Sequence, residues 1–279
     1  MKTIRITLSI IAAAVGALVA SAQQAPVEAV ISIIEGSATF TAPGSTLAVP
    51  AVVGQKLPEG STVITGEAST VIITSFEGIQ TSLNAKTSAV IGTHSVNAEG
   101  VRTVVIDLKI GSAVSVLDPS KRKINNYGVR TPKGVAAARG TVYTTTYDGV
   151  TVTVDTVAGT VVFSSVGGAS VTVPSGTGTN GSNGVSALSS ANKTSVLDAV
   201  KVLAILKAAF PDDSAIATQL TGVEQLAKDK NVATDAEITA AKEAASDVKE
   251  AQASGDTEKK DETVTVKVGT LDITVSVSR

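Results

Sequence analysis

Between residues 31 and 173 the chain is assembled from short runs of Val, Ile and Thr. These β-branched residues are stiff at χ1 and suit a pleated, half-buried surface better than a helix. In Val150-Thr151-Val152-Thr153-Val154 every second residue is apolar, so one face packs while the other meets water. Val161-Val162-Phe163 and Val171-Thr172-Val173 continue the pattern. Turn pairs punctuate the region, among them Pro43-Gly44, Thr65-Gly66, Glu77-Gly78, Asp118-Pro119, Asp148-Gly149 and Gly167-Gly168. No helical periodicity separates the strands before residue 190, which excludes parallel βαβ units. The pattern predicts a mainly β protein: an all-β roll or solenoid-like sandwich, followed by a small helical region with a C-terminal β-hairpin.

The switch comes near residue 195. Val196, Leu197, Val200, Leu203, Ile205 and Leu206 recur at helical spacing, and Pro211 ends the run. A second helix is predicted from about Asp213, with Ile216, Leu220, Val223 and Leu226 on one face. A third begins at Thr234-Asp235-Ala236-Glu237, a capping box, with Gly255 as its stop. Val264, Val266 and Val268, then Leu271, Ile273, Val275 and Val277, alternate about Gly269-Thr270 and predict a hairpin. Charge changes with structure: residues 195–262 hold 14 acidic against 8 basic side chains, whereas residues 23–194 are nearly balanced.

At the amino terminus, Lys2 and Arg5 precede an apolar run from Ile6 to Val19 and a small-x-small site, Ala20-Ser21-Ala22. This is the pattern of a secretory signal peptide over residues 1–22, too short to span a bilayer comfortably. The mature chain is expected to be exported, periplasmic or extracellular and at the cell surface, with no membrane span after cleavage. The expected divisions are an all-β domain over 26–173, a Gly/Ser/Thr/Asn linker over 174–190, and three helices plus hairpin over 191–279. The last is expected to form a separate acidic unit.

Composition narrows the chemistry. The chain has no Cys, one His and no Trp, which excludes disulfides, cysteine-zinc sites and thiol nucleophiles. His94 has no G-x-S-x-G elbow to serve. Carboxylates scattered one per turn, as at Glu35, Glu59, Glu67, Glu77 and Glu99, are ordinary for an exposed β surface, and a sugar cleft would want the aromatic stacking platforms that the chain lacks. No enzyme activity, metal or cofactor is expected. One cluster of cations stands out: Lys121, Arg122, Lys123, Arg130 and Lys133, with Arg139 beyond, and no acid between Asp118 and Asp148. It is a candidate patch for an acidic partner protein, an anionic glycan or a phosphate group. Nucleic acid is not an expected partner of an exported protein with a pI near 5.5 and no stacking aromatics beside its cations.

Residues 127–143 carry a recognisable segment: Val129, Thr131, Pro132, Gly134, Ala136, Arg139, Gly140, Thr141 and Tyr143. This resembles the V-x-TP-x-G-x-A-x-x-RGT-x-(F/Y) block of the FecR-domain family. Upstream, Gly54, Leu57, Gly60, Val63, Thr65 and Gly66 match that family's opening. Gly78, then Leu108, Gly111 and Ala113, and finally Asp155, Ala158, Gly159 and Val161, resemble its later strands. The resemblance covers residues 33–173. It implies an extracytoplasmic recognition domain; family members receive a signal from an outer-membrane transporter and pass it through a membrane helix to a cytoplasmic anti-sigma segment. This sequence departs from that plan at its amino terminus, so the resemblance carries over a bacterial envelope module that binds a partner, and not direct sigma-factor control. The alternative is a structural envelope or surface protein, with a rigid β stem and an acidic helical arm for self-association. The motif residues themselves read as structural. Pro132 fixes φ and holds Thr131 extended, and Gly140 permits a bulge or close backbone approach. Arg139 is expected to be buried at a corner on backbone carbonyls or a carboxylate, so that truncating it costs roughly 2–4 kcal/mol.

Overall fold

A computed structural model describes residues 28–168, 170–181, 184–253, 262–268 and 271–277. The signal-like segment 1–22, Gly255 and the turn pair Gly269-Thr270 lie outside the described residues. In chain order the strands are β1 (Ala29–Glu35), β2 (Ala38–Thr41), β3 (Ala48–Pro50), β4 (Lys56–Leu57), β5 (Thr62–Thr65), β6 (Thr70–Phe76), β7 (Ile79–Leu83), β8 (Ser88–Val96) and β9 (Arg102–Leu117). They continue as β10 (Asn125–Thr131), β11 (Gly134–Ala138), β12 (Val142–Tyr147), β13 (Val152–Ala158), β14 (Thr160–Ser165), β15 (Ser170–Pro174), β16 (Thr177–Thr179) and β17 (Ser186–Ala187). Then come α1 (Lys193–Ala209), α2 (Ser214–Asp229), α3 (Asp235–Ala253), β18 (Glu262–Val268) and β19 (Leu271–Val277). Among the described residues between 31 and 173 the sole helical element is a 3-10 turn, Pro119–Lys121. The mainly β class with a following helical region stands as the sequence pattern predicts.

The strand pairings resolve into two faces joined through β9. Sheet I runs β4-β1-β6-β7-β9-β12-β13-β16-β17. Sheet II runs β3-β2-β5-β8-β9-β10-β11-β14-β15. The first half of the 16-residue β9 pairs with β8 and β10, and the second half with β7 and β12, so one strand changes sheets at Gly111. Between the sheets lies one core, with Ile31, Val71, Ile73, Ile106, Val129 and Phe163 all buried. Two tyrosines bring polar atoms into it and satisfy them. The Tyr127 hydroxyl lies 2.7 Å from Thr81 Oγ1 and 3.0 Å from Ser115 Oγ, and Tyr143 donates to the Ala136 carbonyl at 3.1 Å. Burial without a counter-charge pushes the Tyr127 phenol up to about 12, which keeps it a neutral hydrogen-bonding group.

The helices cover the outer face of sheet I. Ile33, Ile72, Val114, Val116, Val142 and Val157 point away from the inter-sheet core and form a second hydrophobic cluster with α1, α2 and α3. α1 contributes Val196, Val200, Leu203 and Leu206, the periodic residues of the sequence pattern. Polar ties reinforce the contact: Gln219 Nε2 donates to the Leu117 carbonyl at 2.8 Å, and Thr144 Oγ1 to the Ser195 carbonyl at 3.2 Å. The capping box of α3 forms, with Thr234 N donating to Glu237 Oε2 at 2.8 Å and Glu237 N to Thr234 Oγ1 at 3.3 Å. Among the described residues no helix is long and apolar enough to cross a membrane.

The described part of tract 174–190, expected as a linker, is largely taken up by sheet I. Thr177, Gly178 and Thr179 pair with Thr156, Asp155 and Val154, and Ser186–Ala187 pair with β16 in turn. Leu188 is buried in the helix–sheet cluster. Gly, Ser and Thr have little side chain to bury, but their amides can pair with the free edge of β13. The helices thus share a core with the sandwich instead of standing apart from it. Strands β18 and β19 pair from Glu262↔Val277 to Val268↔Leu271; what their faces pack on lies outside the described residues.

Candidate functional site

The family-like residues fall at corners and turns. Thr65 Oγ1 accepts from Thr87 N at 2.9 Å, and Gly66 N donates to the Ser37 carbonyl at 2.8 Å, where the chain leaves sheet II for sheet I. Thr131-Pro132-Lys133-Gly134 is the turn between β10 and β11, with Thr131 opposite Gly134. Thr131 Oγ1 accepts from Lys133 N at 3.2 Å and donates to the Gly134 carbonyl at 3.1 Å. Gly78 caps the β6–β7 turn, and its carbonyl accepts from Asp118 N at 2.9 Å. Thr141 is buried and donates to the Thr160 carbonyl at 3.2 Å. Gly140 has φ +67° and a Cβ there would stand 2.5 Å from Pro119 Cα, the close approach that the sequence suggests.

Arg139 is not buried at a corner, contrary to the expectation from sequence. It is exposed, and its Nη2 donates to Asn126 Oδ1 instead of being sealed among carbonyls. The preceding Ala138 side chain faces the core, so strand alternation turns Arg139 outward. Truncation is therefore expected to cost under about 0.5 kcal/mol. Thermal melting of Arg139→Ala checks this: an unchanged midpoint is the expected result, and a loss of many degrees would restore a structural role.

The predicted cationic cluster divides. Arg130 is bidentate on Asp107, Nε to Oδ1 at 2.6 Å and Nη2 to Oδ2 at 2.8 Å, and that pairing holds its guanidinium above the usual arginine range. Nothing local in the sequence announces this, since Asp107 lies 23 residues upstream and meets Arg130 only through the parallel β9–β10 register. Lys133 is exposed at the far turn. Lys121 pairs with Glu77, whose carboxyl it holds below the usual range. Arg122 and Lys123 are exposed beside it, and among the described residues neither forms an ion pair. The Gly140–Pro119 contact brings Arg139 next to this turn. Lys121, Arg122, Lys123 and Arg139 therefore gather at one end of sheet II, while Arg130 and Lys133 lie towards the other. Beside Arg139 opens a depression of about 350 Å³, floored by Asn126, Ala137, Thr160 and the exposed Val162. Unlike the outer face of sheet I, this face carries no helix among the described residues.

His94 is buried. Its ring stacks on Phe76 with centroids 4.4 Å apart, and Nε2 lies 2.9 Å from the Ser75 carbonyl. The carboxylates that the sequence scatters through the β region also have separate partners: Glu35 meets Lys201, Glu67 meets Lys86, and Glu59 accepts from His94 N.

No protein-family model matches this chain, and no curated protein matches it. Among solved structures it is similar to two crystal structures, at 2.50 and 1.65 Å resolution, of a putative anti-sigma factor from Parabacteroides distasonis. Each shares 16% sequence identity and a TM-score of 0.39, over 52% of this chain. The chain spans 64% of the length of those structures.

Proposed function

We propose that this chain is a non-enzymatic, exported FecR-like module of the bacterial cell envelope that recognises a protein partner bearing an acidic segment. The observation that carries the reading is the corner of sheet II, where Arg139 lines an open depression with apolar Val162 at its floor and exposed Arg122 and Lys123 lie in the adjoining turn. Cations with no ion pair among the described residues, beside accessible apolar surface, favour an acidic chain that can also bury a side chain there. The family-like motif supports the reading in a specific way. Its Thr and Gly residues hold turns and corners, and the residue they present outward is Arg139. The structural-stem alternative is less favoured, because α1 buries its apolar stripe on sheet I and is not a free arm.

The test is affinity capture with residues 23–279 from an envelope extract of the source organism. Wild type is compared with a combined Arg122→Glu, Lys123→Glu, Arg139→Glu variant. Wild type should retain an acidic partner, more weakly at high salt, and the reversed variant should lose it. Identical capture by both proteins would show that the corner is not the recognition surface.

A further inference from the structure

The outer face of sheet I changes character along its strands. Under α1 and α2 it is apolar, through Ile72, Val114, Val142 and Val157. Further along the same strands the same face becomes Thr70, Ser112, Thr146, Thr153 and Asp155. Ser112, Thr146 and Thr153 are neighbours across three strands, with Thr146 paired to both of the others. A cleft of about 670 Å³ opens here between the sheet and the amino-terminal half of α1.

Its charges are unequally satisfied. Lys201 is engaged by Glu35 at 2.7 Å. Asp155, almost fully buried, accepts from Asn192 Nδ2 at 2.9 Å and faces the positive end of α1. Asp198 is tied by the Asn84 amide at 2.7 Å but has no ion pair among the described residues. Thr70, only 7% exposed, also lines the cleft and adds a further hydroxyl-bearing side chain to it.

We propose that this cleft binds a small organic amine with a polar body, its ammonium held by Asp198 and its polar groups by Thr70 and the Ser112–Thr146–Thr153 row. Three carboxylates face one ammonium in the lining, which disfavours an anion. Among the described residues no three His, Cys, Asp or Glu side chains converge as a metal would need. Among the described residues the lining holds no aromatic ring on which a neutral sugar would stack. Burial also holds the Asp198 carboxyl up at about 6, so an incoming ammonium relieves a strained charge. The site lies on the opposite sheet from the basic corner and stands independently of the partner-binding reading.

The test uses residues 23–279 and three probes: glucosamine, putrescine and glucose. Calorimetry at neutral pH is paired with amide NMR. At least one of the amines should bind and move the amides of Ser112, Thr146, Thr153 and Ser195, and glucose should not. Asp198→Asn, with folding verified by circular dichroism, should weaken amine binding about tenfold or more, the range for losing a charged hydrogen-bond partner. Putrescine affinity should also fall as pH drops through about 6, because the protonated acid has no charge to offer. Glu35 is held by Lys201, and Asp155 by Asn192, so neither replaces it. The proposal is overturned if neither amine moves those amides at millimolar concentration, if glucose binds as well as the amines, or if Asp198→Asn leaves affinity unchanged.

Discussion

Gly111→Ala is expected to destabilise the protein by about 3 kcal/mol or more, enough to threaten folding of a marginally stable chain. Gly111 has φ +101°, a conformation that side chains rarely adopt, at the point where β9 passes from sheet II to sheet I. A Cβ there would stand 2.3 Å from Thr87 Oγ1 and 2.6 Å from Thr87 Cα. The second contact is with backbone, so no side-chain rotation relieves it. Thr87 cannot retreat freely either. Its hydroxyl accepts from Ser112 N at 3.0 Å and its own N–H donates to Thr65 Oγ1 at 2.9 Å, so moving it would loosen the corner that joins both sheets. Gly149→Ala is the control. Its φ is +99°, and nothing lies within 4 Å of the added Cβ. That variant carries the backbone strain alone, about 1–2 kcal/mol. Urea unfolding of the two variants separates the effects; equal losses would mean that the Thr87 approach contributes nothing.

Gly111 also shows what the sequence makes legible. A glycine between two apolar-alternating runs announces a bend, and the period-2 to helical switch near residue 195 announces where the helices begin, because both signals are local. Thr131-Pro132 reads as an extended lead into a turn for the same reason. What fails is information carried by pairing. The tract 174–190 has the composition of a linker, yet Gly178 sits flush against Asp155 because it has no side chain: a Cβ would stand 2.3 Å from Asp155 Oδ1. Low side-chain content there is the condition for packing, not a sign of its absence. Arg139 escapes the local pattern because the five donors of a guanidinium suit a buried hub, whereas the strand phase set by Ala138 decides its direction. The cleft is the least legible feature. Asn84 and Asp198 are 114 residues apart, and only the seating of α1 on sheet I brings them together.

Asp198→Asn is expected to stabilise the protein at pH 7 by up to about 3 kcal/mol, and to have little effect near pH 4. An unfolded aspartate loses its proton near 3.8, while in the fold burial holds this one until about 6, against the lowering pull of Lys201 and Asn84. Between those values the folded state binds more protons than the unfolded one, so stability falls as pH rises. The penalty is complete above about 6. Asparagine has no charge to desolvate and can still accept from the Asn84 amide, so the variant should lose this slope. Asp155 is likewise raised by burial, but it is present in both proteins and cancels in the comparison. Glu237 works in the opposite direction and elsewhere: Lys193 and the Thr234 cap hold its carboxyl down to about 2, so its contribution persists above the ordinary range near 4.5 and is lost only as pH falls through about 2. Urea unfolding of both proteins from pH 4 to 7.5 reads the difference. A gain that does not depend on pH would place the effect in packing, and no gain would show that the ionised carboxylate is not strained. The expected pair of results, a firmer fold and a lost amine, separates binding from structure. A residue that merely fastens α1 to the sheet should weaken the fold when changed, whereas a charge held ready for a ligand should strengthen it.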